Sequence, residues 1–198
     1  MYYFKEVVMN KSFYLVFLLL LMGGCAMTPQ KVVLYPDVLV MGSEVGKGKT
    51  VALTVTDART DKALGYRTTR LDKDSVILTY SDVAKVTQER IYEGLKKYGF
   101  NVNVVSGDAP VLLKVEIQAL QYSTPTGSWT GGIRILARLN AFVKNGGTTY
   151  ENLYEITNNE TVIIPPSQGK NEELINKTLA DVLQRLLKDQ KLVALLAK

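Results

Sequence analysis

The sequence predicts a two-layer α+β domain, a curved antiparallel sheet covered on one face by two amphipathic helices. Three observations carry this. Val111 to Ala119 and Ile133 to Val143 alternate strictly between apolar and polar side chains, the period of a strand with one wet face. Ser81 or Asp82 opens a segment ending at Gly99 in which Val83, Val86, Ile91, Leu95 and Tyr98 recur at helical spacing. From Asn171 a broad stripe of Leu174, Ile175, Thr178, Leu179, Val182, Leu183, Leu186 and Leu187 returns to that spacing. Amphipathic helices and a half-wet sheet bury their apolar faces against each other.

The elements follow in order. Val32 to Val40 is apolar but interrupted by Pro36, which suits an edge strand or an extended arm. Gly42 to Lys49 is a glycine-rich loop. Val51 to Thr56 alternates as a strand with Val51, Leu53 and Val55 inward, and Asp57 to Asp61 turns out of it. Val76 to Tyr80 and Phe100 to Val105 are short strands on either side of the first helix. Val111, Leu113, Val115, Ile117 and Ala119 face one way, with Lys114, Glu116 and Gln118 opposite. In the next strand Arg134, Arg138, Asn140 and Lys144 face water. Asn145-Gly146 is a hairpin turn leading into a strand from about Thr148 to Thr157. Pro165-Pro166 closes the sheet region, and Leu192 to Ala197 is apolar to the C-terminus.

Ahead of this domain, Lys11, an apolar run from Phe13 to Met22, and Gly23-Gly24-Cys25 have the layout of a secretory signal peptide. Small residues immediately before the only cysteine look like a bacterial lipobox. There Cys25 becomes the new N-terminus, bearing diacylglycerol and an N-acyl chain. The apolar run is about half the ~20 residues that span a bilayer, which disfavours a transmembrane anchor. A secreted chain with Cys25 as a free thiol is the other reading. Residues 1–8 fit a signal peptide poorly, which makes Met9 an alternative start. The expected organisation is thus signal peptide 1–24, lipidated tether 25–31 and a single periplasmic domain 32–198.

Removing 24 of 198 residues leaves 174, enough for one domain with a sizeable core. The chain is 46% hydrophobic and 22% charged, the balance of a globular protein. Its net charge of +5 is scattered among acidic residues rather than clustered, which reads as a solvated surface and not as a nucleic-acid site. There is no histidine and one cysteine. That removes Ser-His and Cys-His catalysis, internal disulfides and nearly every zinc site. No catalytic residue, metal ligand or cofactor is expected beyond the acyl groups on Cys25.

Several motifs have a structural and a functional reading. Gly48-Lys49-Thr50 resembles the end of a phosphate loop. Ser43 stands where that motif needs its first glycine, and the segment precedes a strand instead of opening a helix. Asp72-Lys73-Asp74 lacks the glycine and later glutamate of a calcium loop. Asp57, Arg59 and Asp61 form the densest polar cluster, read as an Arg–carboxylate fork that ties down the strand end, with a binding site as the alternative. The loop from Ser123 to Gly132 carries the only tryptophan among small and polar residues, so Trp129, Ser128 and the adjoining Tyr122 are candidate partner contacts, with Trp129 folded back over the sheet edge as the structural alternative. Leu192 and Leu195 either pack under the sheet or dock on a partner.

The lipobox, the run Asp57-Ala58-Arg59-Thr60-Asp61-Lys62-Ala63-Leu64, the central helix, the strand meander and the C-terminal helix, in this order, resemble the YajG family of bacterial lipoproteins. The resemblance implies a Gram-negative outer-membrane lipoprotein without an established activity. Ala26 after the cysteine, where an inner-membrane retention signal would resemble Asp, agrees with outer-membrane sorting. The expected function is a lipid-anchored periplasmic adaptor, bound to the membrane by its lipid and to an envelope protein by its surface. A lipid or glycan carrier is the alternative, and a carboxylate-dependent hydrolase the third reading.

Overall fold

A computed structural model describes residues 28–67, 75–104, 109–124, 131–163 and 166–198. Among these, eight strands form one strongly curled sheet, and three helices pack on its inner face. In chain order they are β1 (Gln30–Val32), β2 (Thr50–Asp57), β3 (Gly65–Arg67), β4 (Ser75–Thr79), α1 (Val83–Lys97), β5 (Asn101–Val104), β6 (Val111–Ser123), β7 (Gly131–Asn145), β8 (Thr148–Val162), α2 (Gln168–Leu187) and α3 (Gln190–Ala197).

The α+β class holds, and the sheet is mixed where an antiparallel one was expected. β6, β7 and β8 form the expected antiparallel meander. β2 runs parallel to both β5 and β6, and β1 parallel to β4. For β5 the reason is the crossover through α1, which carries the chain back to start β5 in the direction of β2. Alternation of side chains is the same for either strand direction, so the pattern does not reveal it.

Local chemistry explains the element ends. Asp82 accepts from the Lys85 amide at the start of α1 (3.1 Å). Gly99, at φ 80°, ends the helix: its amide donates to Lys96 O and that of Phe100 to Leu95 O, a Schellman closure. Gly146 and Gly147 form the two-residue loop between β7 and β8, one residue later than Asn145-Gly146, with Gly146 at φ 56°. Ser167 caps α2. Every residue of the predicted α2 stripe is buried.

β6 departs from simple alternation. Its register with β7 slips between Ile117 and Ala119, so Gln118 is an inserted residue. Beyond the bulge the phase reverses. Leu120 and Tyr122 enter the core, while Ala119, expected inward, is only partly covered. The core fills the space between sheet and helices with Leu53, Leu113, Ile117, Ile133, Leu139, Leu183 and their neighbours, each almost completely buried. Gly94 lets α1 approach α2 closely, since a Cβ there would lie 2.5 Å from a Leu187 methyl.

Residues 33–41 form an arm laid on the helix side. Its backbone uses side chains as partners: Val33 N donates to Glu172 (2.7 Å), Leu34 N to Ser81 (2.9 Å), and Asn176 donates to Val33 O (2.9 Å).

Candidate binding surface

The expected site residues separate into three groups. Cys25, Ser128 and Trp129 lie outside the described residues, as does Asp72-Lys73-Asp74. Tyr122, Leu192 and Leu195 are interior: Tyr122 is 1% exposed, Leu192 0% and Leu195 9%. The candidate partner contact at Tyr122 is therefore corrected, and of the two readings of Leu192 and Leu195 the structure takes packing under the sheet. The bulge turns Tyr122 inward, and Asp189 caps α3 so that its leucines fold under the sheet, with Asn145 Nδ2 donating to Leu195 O (2.9 Å).

Asp57 and Arg59 form the fork, with Nε–Oδ1 and Nη2–Oδ2 both 2.9 Å. Asp61 does not flank Arg59; it caps the Ala63 amide (2.9 Å) and accepts from the Tyr66 hydroxyl (3.1 Å). The cluster joins two parts of the sheet. β2 pairs with β6 up to Ile117, and β3 joins β6 only at Tyr122. Across this gap Ala58 N donates to Ile117 O (3.0 Å), Arg59 Nη1 reaches Leu120 O (3.4 Å) and Tyr122 N donates to Leu64 O. The Asp-Ala-Arg-Thr-Asp-Lys-Ala-Leu run is thus a splice that satisfies the backbone of β6 where its neighbour changes. Burial alone would raise the Asp57 carboxyl; the hydrogen bonds from the Arg59 side chain and amide, its charge, and Lys62 hold it below its ordinary value.

A second polar cluster had only a faint signal in sequence, an aspartate just before the C-terminal apolar run. Asp189 Oδ2 accepts from Tyr154 (2.6 Å), Tyr150 (2.9 Å) and Asn152 (3.2 Å), all on the inner face of β8. Its Oδ1 accepts from Lys191 and Leu192 amides. Burial raises its pKa, yet the hydrogen bonds from Tyr154, Tyr150, the Leu192 amide and Asn152 prevail and hold it at about 2. This carboxylate fastens the α2–α3 corner to the sheet. Lys49, of the phosphate-loop lookalike, donates to Ala197 O (2.6 Å) and is likewise structural.

The outer face of β6, β7 and β8 remains as the candidate surface. Lys114 pairs with Glu116 (2.7 Å), Arg138 with Glu155 (2.5 Å), Asn140 with Glu151 (2.7 Å) and Arg134 with Asn159 (3.3 Å). Exposed pairs of this kind contribute roughly 0–1 kcal/mol each, so their presence is weakly explained by stability. Among them, Lys114, Glu116, Asn140, Phe142 and Glu151 line an open cavity of about 280 Å³. Leu153 is half exposed on the same face. Among the described residues no group of three or more His, Cys, Asp or Glu is placed to hold a metal ion, and no helix is long and apolar enough to cross a membrane.

The profile of a family described as uncharacterised lipoprotein matches residues 36–197. No curated protein sequence matches the chain. Among solved structures, protein XCC0632 from Xanthomonas campestris is similar at TM-score 0.60 and 11% identity, over 82% of this chain and 95% of that one. A Helicobacter pylori homologue of neuraminyllactose-binding hemagglutinin is similar at TM-score 0.52 and 10% identity, over 80% and 92%. A minor lipoprotein from Acinetobacter baumannii gives TM-score 0.44 and 6% identity, over 71% and 90%. At such identities the first two likenesses show a shared fold alone.

Proposed function

The chain belongs to this family of uncharacterised lipoproteins, and from that premise we propose that it is a non-enzymatic adaptor of the Gram-negative outer membrane. Acylated Cys25 holds the domain at the periplasmic surface, where it recruits or supports an envelope assembly. Tethering raises the effective concentration of a weak contact to about the millimolar range.

The observation that carries this reading is the outer face of the three long strands. It presents paired charges and amides around Phe142 and Leu153, a polar surface with apolar anchors. Its open cavity of about 280 Å³ sits at the lower edge of the ~300–1,000 Å³ of ordinary small-molecule sites. A partner's side chain suits it better than a free ligand. Glu116 and Glu151 lie on an open face with cationic or amide partners, whereas a general acid needs a carboxyl kept neutral by burial.

The test is a photo-crosslinking side chain placed at Phe142, Leu153 or Lys85 of the lipidated protein in living cells. One discrete envelope protein captured from Phe142 and Leu153, but not from Lys85 on α1, is the expected result. Equal capture from all three positions, or no protein adduct from the sheet, refutes the adaptor surface.

A further inference from the structure

The arm has two apolar faces. From Lys31 to Met41 the side chains alternate without interruption: Val32, Leu34 and Pro36 are buried, and Val38 and Val40 partly so. The other face should be polar if it met only water. Instead it presents Val33, Tyr35, Leu39 and Met41 at 48%, 72%, 65% and 89% exposure, interrupted by Asp37. An exposed apolar row of this length marks a contact surface.

Its cationic and aromatic neighbours specify the chemistry. Lys31 Nζ stands 4.7 Å above the exposed Tyr80 ring, and the Arg90 guanidinium 5.0 Å from the Tyr35 ring. Tyrosine presents an apolar body and a polar tip, the combination that suits a lipid headgroup region. Among the described residues, Lys31 is free to meet phosphate, while Arg90, paired with Glu93 (2.8 Å), braces the Tyr35 ring.

The covalent chain supplies the location. Thr28 is fixed to the domain, since its carbonyl accepts from the Arg67 guanidinium and the Ser75 hydroxyl (2.8 Å). Three peptide units separate it from Cys25, a reach of about 11 Å at full extension. A domain so closely tethered must rest some surface against the headgroups, and the arm begins at the tether's end.

We infer that the outward face of the arm, Val33, Tyr35, Leu39 and Met41 with Lys31 and Tyr80, is a docking surface for the phospholipid bilayer that carries the anchor. This rests on the lipid anchoring of Cys25. The arm lies along the membrane, and the helix layer faces the lipid. The outer face of β6, β7 and β8 then points away into the periplasm, where a partner can reach it.

Cys25 is the only cysteine, and acylation consumes its thiol, so an introduced cysteine is a unique labelling site. Lipidated full-length protein carrying Tyr35→Cys, Met41→Cys or Leu153→Cys is labelled with a polarity-sensitive fluorophore. It is then reconstituted in vesicles of phosphatidylethanolamine and phosphatidylglycerol containing a nitroxide lipid. Emission from positions 35 and 41 is expected to shift to the blue and to be quenched several-fold more than from position 153. Adding Val33→Ser and Leu39→Ser, both at exposed side chains, should reduce quenching at position 35 while the protein still floats with the vesicles. Flotation with equal or weaker quenching at 35 and 41 than at 153 overturns the docking surface and leaves the anchor intact. Failure to float overturns both. Self-quenching that rises with protein density on the vesicle would assign the arm to a second copy, and also overturns the proposal.

Discussion

A Cβ at Gly65 would lie 1.9 Å from the carbonyl oxygen of Tyr122. This approach, at φ 143°, is where β3 joins β6 and the second half of the sheet begins. No side chain fits, and the backbone conformation itself favours glycine. Gly65→Ala should cost about 3 kcal/mol or more, because neither backbone can yield without breaking the junction. Thermal unfolding followed by circular dichroism should show a fall of roughly 6–12 °C. An unchanged midpoint would mean that β3 is not held against β6.

Arg59 is buried, and among the described residues its charge is matched by the Asp57 fork. Arg59→Met leaves Asp57 poorly solvated and Leu120 O without its donor, a loss of about 3 kcal/mol in urea unfolding. Combining it with Asp57→Asn should restore a good part of that loss. A double variant as unstable as the sum of the two single ones would show that the residues act independently.

Asp189 sets an acid limit. Its folded pKa of about 2 lies below the unfolded value near 4, so its stabilisation is present above pH ~4 and is lost as pH falls toward 2. Asp189→Asn should cost about 1–2 kcal/mol at neutral pH, the electrostatic part reduced by solvent contact. It should also flatten the stability profile between pH ~4 and ~2. An acid limb as steep as that of the parent protein would assign the transition to other carboxylates.

The tyrosines set an alkaline limit. Burial pushes Tyr122 up to about 12 against the lowering effect of Arg67. Burial and the Asp189 carboxylate raise Tyr154 as well. With folded values above the unfolded one near 10, their contribution is complete below pH ~10 and falls away as pH rises through the folded values. The part of the tyrosinate absorbance that belongs to Tyr122 and Tyr154 should therefore develop late and together with loss of secondary structure. Tyr122→Phe, which keeps the ring and removes a hydroxyl without a hydrogen-bond partner among the described residues, should be neutral or stabilising and should weaken the alkaline transition.

Much was legible because it depends on local chemistry. The helical stripe of α2, the cap Asp82, the stop at Gly99 and the alternation of β7 each need only the residues within one or two turns. The Arg59–Asp57 fork was legible for the same reason, its partners being two positions apart. What the sequence alone determined is the class of the domain, its layer of helices and the absence of histidine and of an internal disulfide. Only the tertiary structure decided that β2 lies parallel to β6, that Gln118 reverses the phase of β6 and takes Tyr122 inward, and that Leu192 and Leu195 are core. It also decided that Asp189 meets two tyrosines of β8. Those outcomes depend on which distant segments become neighbours. An apolar side chain has the same pattern along the chain whether a sheet or a partner covers it, and only long-range packing selects between them.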